Sequence, residues 1–136
     1  MKKSERQIEV LLESLIEVNN IEKVIEALPR GYISVKVISG HTYYYRQWRE
    51  GNKIISSYVP ESYLNVVKQK IEIRKQNEQL LKILKKDYTK AVRNVLKSGD
   101  VKESSIKAIK EKVRNLSEEE LMSNKVRTAL KDELLG

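Results

Sequence analysis

The stretch Gly31-Tyr32-Ile33-Ser34-Val35-Lys36-Val37-Ile38-Ser39-Gly40, followed by His41-Thr42-Tyr43-Tyr44-Tyr45-Arg46-Gln47-Trp48-Arg49-Glu50-Gly51-Asn52-Lys53-Ile54-Ile55-Ser56-Ser57-Tyr58-Val59, decides the fold. From Gly31 the hydrophobic period is two: Ile33, Val35 and Val37 alternate with Tyr32, Ser34 and Lys36, and the β-branched content suits a strand. Ser39-Gly40 reads as a hairpin turn, residues 42–49 as a second strand, and Glu50-Gly51-Asn52-Lys53 as a second tight turn with Gly and Asn available for positive φ. Ile54 to Val59 completes a three-stranded antiparallel meander. Three short strands make too small a sheet to stand alone, so one face is expected to lie against a helix.

On the N-terminal side, Ser4 and Gln7 have capping-box spacing, and Ile8, Leu11, Leu12, Leu15, Ile16 and Val18 recur at helical intervals, predicting a helix over about residues 5–18. Its opposite face carries Glu9, Glu13 and Glu17. Asn19-Asn20 reads as a cap or kink before Ile21, Val24, Ile25 and Leu28, giving one bent helix or two, ended by Pro29. On the other side, Pro60-Glu61-Ser62 opens a long basic helix expected to reach Lys97 and stop at Ser98-Gly99-Asp100. Such a helix, about 38 residues and roughly 57 Å, exceeds the width of a compact domain and should protrude, kink or pair with another chain. Val101, Ile106, Ile109 and Val113 predict one further helix, and Ser117-Glu118-Glu119-Glu120 is a capping box feeding a last one through Leu134 and Leu135. The fold class is therefore α+β: an N-terminal helical segment (1–28), a three-stranded antiparallel sheet with a long basic helix (29–99), and a helical C-terminal part (100–136).

The 136 residues suffice for one domain with extensions. Hydrophobic residues make up 40% and charged residues 34%, a soluble, helix-rich balance. No run of eighteen apolar residues occurs, so no membrane association is expected. Met1-Lys2-Lys3 begins like a signal peptide, but Glu5, Arg6, Glu9 and Glu13 interrupt any apolar core, which points to a cytoplasmic protein. The absence of Cys removes disulfide and thiolate chemistry. Net charge is +8, unevenly spread: residues 29–60 hold five cations and one acid, and residues 61–99 ten and four. The ends are acidic or neutral. A positive field focused on the middle of a chain favours a polyanionic partner.

In the second strand Tyr43, Tyr45, Gln47 and Arg49 point one way, and Tyr44, Arg46 and Trp48 the other. With Gly51-Asn52 as a two-residue loop, Trp48 opposes Ile55 on the side expected to face the core, leaving Tyr43, Tyr45, Gln47 and Arg49, with Lys53 at the turn, as candidate nucleic-acid contacts. Bases stack on aromatic rings, Arg and Gln read base edges, and cations neutralise phosphate. The bland alternative is that the tyrosines are cross-strand structural pairs. On the long helix, Lys75, Lys82, Lys86, Arg93 and Lys97 share a stripe that could track phosphates, or be only a solvated face. His41, the single histidine, sits at a turn with no carboxylate near in sequence. No Walker loop, Rossmann glycines, metal-ligand spacing or nucleophile motif occurs, so no catalytic residue, metal or cofactor is expected.

Leu28-Pro29-Arg30-Gly31-Tyr32-Ile33-Ser34, Tyr43-Tyr44-Tyr45-Arg46-Gln47-Trp48-Arg49-Glu50-Gly51 with Lys53, and Ser56 with Tyr58-Val59 together resemble a small uncharacterised prokaryotic domain family. That family carries an L-P-x-G-x-I-S segment, a G-x-x-Y-Y-Y-x-Q-W-R-E-G-x-K hairpin and a charged helix, and the likeness covers about residues 28–75. Its domains occur beside mobile-element and nucleotidyltransferase-type genes. At Arg46, Ile55 and Ser57 the chain departs from the family's usual aliphatic residue and two lysines. Gly31 to Val59 is also similar to the three-stranded arm-type DNA-binding domain of tyrosine integrases. The loss of two cations on the third strand weakens a nucleic-acid reading carried over from the family. The first reading, a non-enzymatic nucleic-acid-binding protein of phage or mobile-element type with DNA or RNA as partner, rests on the rings and cations of the sheet and the basic helix.

Two other classes share the composition. Tyr, Trp and Arg also dominate protein interfaces, as in a phage-encoded, anti-CRISPR-like inhibitor of a host nucleic-acid-guided nuclease. A structural oligomer would pair as a homodimer through the long helix.

Overall fold

The computed structural model describes residues 3–136. Met1 and Lys2, where the signal-like start would begin, lie outside the described residues. The elements run α1 (Lys3–Glu26), β1 (Tyr32–Ile38), β2 (His41–Glu50), β3 (Lys53–Val59), a 3-10 turn (Glu61–Tyr63), α2 (Leu64–Ser98), α3 (Glu103–Asn115), α4 (Glu118–Met122) and α5 (Asn124–Leu135). This is the expected α+β order of an N-terminal helix, a three-stranded antiparallel sheet, a long helix and C-terminal helices. None of the described helices is long and apolar enough to cross a membrane. The chain divides into two compact units, one formed by residues up to Lys23 with Leu80–Gly136, the other by Val24–Gln79, and the division falls within α1 and α2.

The first unit is helical and built around one apolar cluster. The α1 stripe Ile8, Leu11, Leu12, Leu15 and Ile16 joins Ala91 and Val95 of α2, Ile106, Ile109 and Val113 of α3, Leu121 of α4, and Leu130 and Leu134 of α5. Residues spaced three and four apart on each helix supply that cluster, as the period of the sequence requires. Two acids of the outer face of α1 are used: Arg127 Nη1 lies 2.8 Å from Glu13 Oε2, and Lys131 Nζ 3.2 Å from Glu9 Oε1. The C-terminal segment therefore completes the core over α1 and spends two of its cations there.

Three local expectations change. Helix α1 already runs at Lys3, so Ser4 lies inside its first turn, and it continues without a break through Asn19-Asn20 to Glu26. Burial of Val18 and Ile25, with Ile21 half-buried between them, keeps the apolar stripe going past two residues of only modestly poor helix propensity. Pro60 opens the short 3-10 turn rather than α2 itself, with Tyr63 N donating to Pro60 O at 2.9 Å. The Ser117 capping box forms, with Glu120 N donating to Ser117 Oγ and Ser117 N to Glu120 Oε1, both at 3.1 Å. The helix it starts is only five residues long, because Ser123 leaves the helical region (φ −72°, ψ 126°) and recaps the chain through Val126 N.

The second unit holds the sheet, in the order β1-β2-β3 and antiparallel throughout. Both hairpins have two-residue loops. Ser39 (φ 50°) and Gly40 (φ 80°) both take positive φ, the pattern of a type I′ turn, whereas in the second loop positive φ is confined to Gly51 (φ 59°), the pattern of type II′. The loop entering β1 is pinned by Gly31, at φ +105°: a Cβ there would come within 2.0 Å of Gln47 O. Only glycine fits. Arg74 of α2 donates from Nη1 to Ile25 O (2.9 Å), which also accepts from Leu28 N (3.1 Å), and to Leu28 O (2.6 Å) in the loop after α1.

The expectation of a covered sheet face is met in part: Arg46 and Trp48 border Leu28 and, on α2, Arg74, and the rest of that face stays open. Val59 is the one buried residue of the three strands. Ile33, Trp48 and Ile55 are half-buried on one face, in keeping with the core side expected for Trp48 and Ile55, while Val35 and Val37 of that same face are exposed.

Candidate nucleic-acid interface

The register assigns every side chain of the sheet to a face. Tyr32 pairs with Gln47, Ser34 with Tyr45 and Lys36 with Tyr43 across β1 and β2. Tyr45 pairs with Tyr58, Gln47 with Ser56 and Arg49 with Ile54 across β2 and β3. Because alternate residues share a face, Tyr32, Lys36, Tyr43, Tyr45, Gln47, Arg49 and Tyr58 all project from one side. Four of the seven tyrosines of the chain lie there.

The rings are organised. Tyr58 stands edge-on to Tyr45, with centroids 5.8 Å apart and planes at 67°, and is tilted 58° to Tyr43 at 6.5 Å. Edge-to-face contacts of this kind are favourable and fix ring orientation. Lys36 Nζ lies 4.8 Å from the centroid of Tyr45, a cation over a ring face. Tyr43, Tyr45 and Gln47 are half-buried among these neighbours, and Arg49 is exposed. Tyr32 and Tyr58 are the most open rings of the group, at 52% and 55% exposure.

Of the residues singled out from sequence, Tyr43, Tyr45, Gln47 and Arg49 thus come together on one face. Lys53 does not: it pairs with Glu50 and falls on the Trp48 side. Tyr32, Lys36 and Tyr58 were not singled out. Extending the two-residue turn at Ser39-Gly40 along β1 would have found Tyr32 and Lys36, and pairing Arg49 with Ile54 already implies that Tyr58 shares the face of Tyr45.

The opposite face is occupied by a different arrangement. The Arg46 guanidinium stacks on Trp48 at 3.8 Å and donates from Nη1 to Arg30 O at 2.7 Å. Trp48 Nε1 donates to Glu50 Oε1 at 3.0 Å, and Arg30 Nη2 lies 3.6 Å from the same oxygen. Partial burial, then the charges of Arg30 and Arg74, push the Arg46 guanidinium below the ordinary arginine value. These contacts tie Arg30, Arg46, Trp48 and Glu50 together, so the corner reads as the scaffold that holds β2 to the loop before β1.

A second basic surface belongs to the helical unit. Lys85, Lys86, Thr89, Lys90 and Arg93 line a shallow depression on α2, and Lys82 lies one turn before Lys86. All of these side chains are exposed. The face of α2 that carries Ala91 and Val95 goes to the core, and the cations fall on the other side. None of them joins an ion pair among the described residues, whose pairs use Arg30, Arg74, Lys112, Arg114, Arg127 and Lys131. Lys85 and Lys90 join the residues expected from sequence, Lys82, Lys86 and Arg93. Lys75 is exposed on the part of α2 that belongs to the sheet unit.

No group of three His, Cys, Asp or Glu side chains able to hold a metal occurs among the described residues, and His41 is exposed at its turn. The chemistry on offer is that of rings, amide and guanidinium donors and fixed positive charge. No curated protein and no solved structure matches the chain. Residues 1–69, which include α1, the three strands and the first residues of α2, match DUF6788, a domain of unknown function, and the chain belongs to that family.

Proposed function

We propose that this protein binds nucleic acid without catalysing a reaction, through the Tyr43, Tyr45, Gln47 and Arg49 face of the sheet, with the α2 cations Lys82, Lys86 and Arg93 as additional phosphate contacts. One observation carries the reading: a single face of the sheet gathers four tyrosine rings, an amide and two cations and fully buries none of them. Rings interleaved with cations match a polyanion whose bases can stack, and the unpaired charges of α2 add the long-range attraction that steers such a polymer. The likeness of Gly31–Val59 to the arm-type DNA-binding domain of tyrosine integrases points the same way and supports a phage or mobile-element origin.

The test is an electrophoretic mobility series with DNA and RNA at two salt concentrations, on the wild type, Tyr45→Ala, Arg49→Ala, and the combined Lys82, Lys86 and Arg93 to Ala variant. Affinity of the wild type should fall steeply with salt, and the triple variant should lose about two units of the logarithmic salt slope, since each phosphate contact supplies roughly 0.7–0.9. A flat salt response overturns the reading and turns the face towards a protein partner, for which Tyr and Arg serve equally well.

A further inference from the structure

Resting on that reading, we infer that the ligand of the sheet face is an unpaired single strand, with Tyr32 and Tyr58 as its base platforms and Lys36 as a gate over Tyr45. The two tyrosines are the most open rings of the face, at 52% and 55% exposure, and they sit on the two outer strands. Tyr32 stands in the row of Gln47, and Tyr58 in the row of Tyr45, two residues along β2. Two strand spacings across and two residues along place their attachment points roughly 12 Å apart.

Stacked bases in a duplex follow one another at about 3.4 Å, and both faces of each are already covered. Platforms so much farther apart can each take a base only if the strand leaves its own stack and splays. Unpaired strands do this readily and duplexes do not. Tyr58 is prepared for the task, because its edge contact with Tyr45 and its tilted contact with Tyr43 hold the ring in place before any ligand arrives. Tyr45 is not free in the same way: Lys36 Nζ lies over its ring at 4.8 Å, where a third base would stack. Binding therefore moves Lys36 from ring to phosphate, converting a cation over a ring into an ion pair without moving the backbone.

The test is fluorescence anisotropy with four labelled probes of equal length: an oligothymidylate, an oligouridylate, a duplex, and an abasic strand that keeps the phosphates without the bases. Either single strand should bind at least about tenfold more tightly than the duplex and the abasic strand, a preference for one of the two identifying DNA or RNA as the source. Tyr58→Ala and Tyr32→Ala should each weaken single-strand binding by about tenfold and leave duplex binding unchanged, whereas Tyr58→Phe should retain the wild-type affinity. Equal binding of duplex, abasic and single strands overturns the single-strand inference while leaving nucleic-acid binding intact. Binding of none of the four overturns both.

Discussion

The helical unit and the sheet unit spend their apolar residues in opposite ways. In the first, fourteen buried residues from five helices and the loop before α3 form one cluster, with Val95 at 0% exposure. In the second, Val59 is the only strand residue to be buried, and Tyr32, Val35, Val37, Ile38, Ile54 and Tyr58 are all more than half exposed. Large apolar surface left open in this way ordinarily marks an interaction site. The contrast teaches that the sheet unit rests on a small buried set, Ile25, Val59, Leu64 and Ile71, together with backbone pairing, turn geometry and a few polar ties, and leaves most strand side chains open.

That contrast can be broken by substitution. The largest effect is expected in the helical unit, where Leu11→Ala should cost about 2–5 kcal/mol by emptying a site exposed to only 1%. Urea unfolding followed by far-ultraviolet circular dichroism measures it; a cost below 1 kcal/mol would mean that the cluster is not the source of stability. Next comes Gly31→Ala, expected to cost about 1–3 kcal/mol, because the added Cβ meets Gln47 O and the backbone stays at positive φ. Its readout is the near-ultraviolet dichroism of the tyrosines and Trp48, which should weaken if the hairpin is displaced. The smallest effect, about 0.5–1.5 kcal/mol, is expected for Tyr58→Ala, which loses its ring contacts with Tyr45 and Tyr43 but removes a ring that is 55% exposed. A large loss of stability there would make the aromatic face structural and erase the difference between the units.

Much of this was legible in the residues. Ser39-Gly40 and Gly51-Asn52 announced two tight hairpins, and period-two alternation along β2 separated Tyr43, Tyr45, Gln47 and Arg49 from Trp48. The parity of Lys53 was equally available, since a residue paired with Glu50 must share its face. What alternation could not convey was exposure: it divides a strand into two faces without saying whether either meets a helix. Asn19-Asn20 and Ser123 mark the complementary failure. Both are residues of weak helix propensity, and tertiary packing carried α1 across the first while local side-chain capping ended the helix at the second.

The family match ends at residue 69, before Lys75, Lys82, Lys86 and Arg93. The sheet face therefore lies within the shared domain and the α2 cations beyond it.

The strand order has a consequence for behaviour at high concentration. With β1 and β3 as the outer strands of a three-stranded sheet, each presents backbone donors and acceptors along one side. Such edges template pairing with another chain, and Val35 and Val37 on β1 would favour it. Lys36 between them, and Lys53 at the start of β3, place a charge on each edge that opposes ribbon growth. The cation proposed to greet phosphate thus also guards the chain against aggregation.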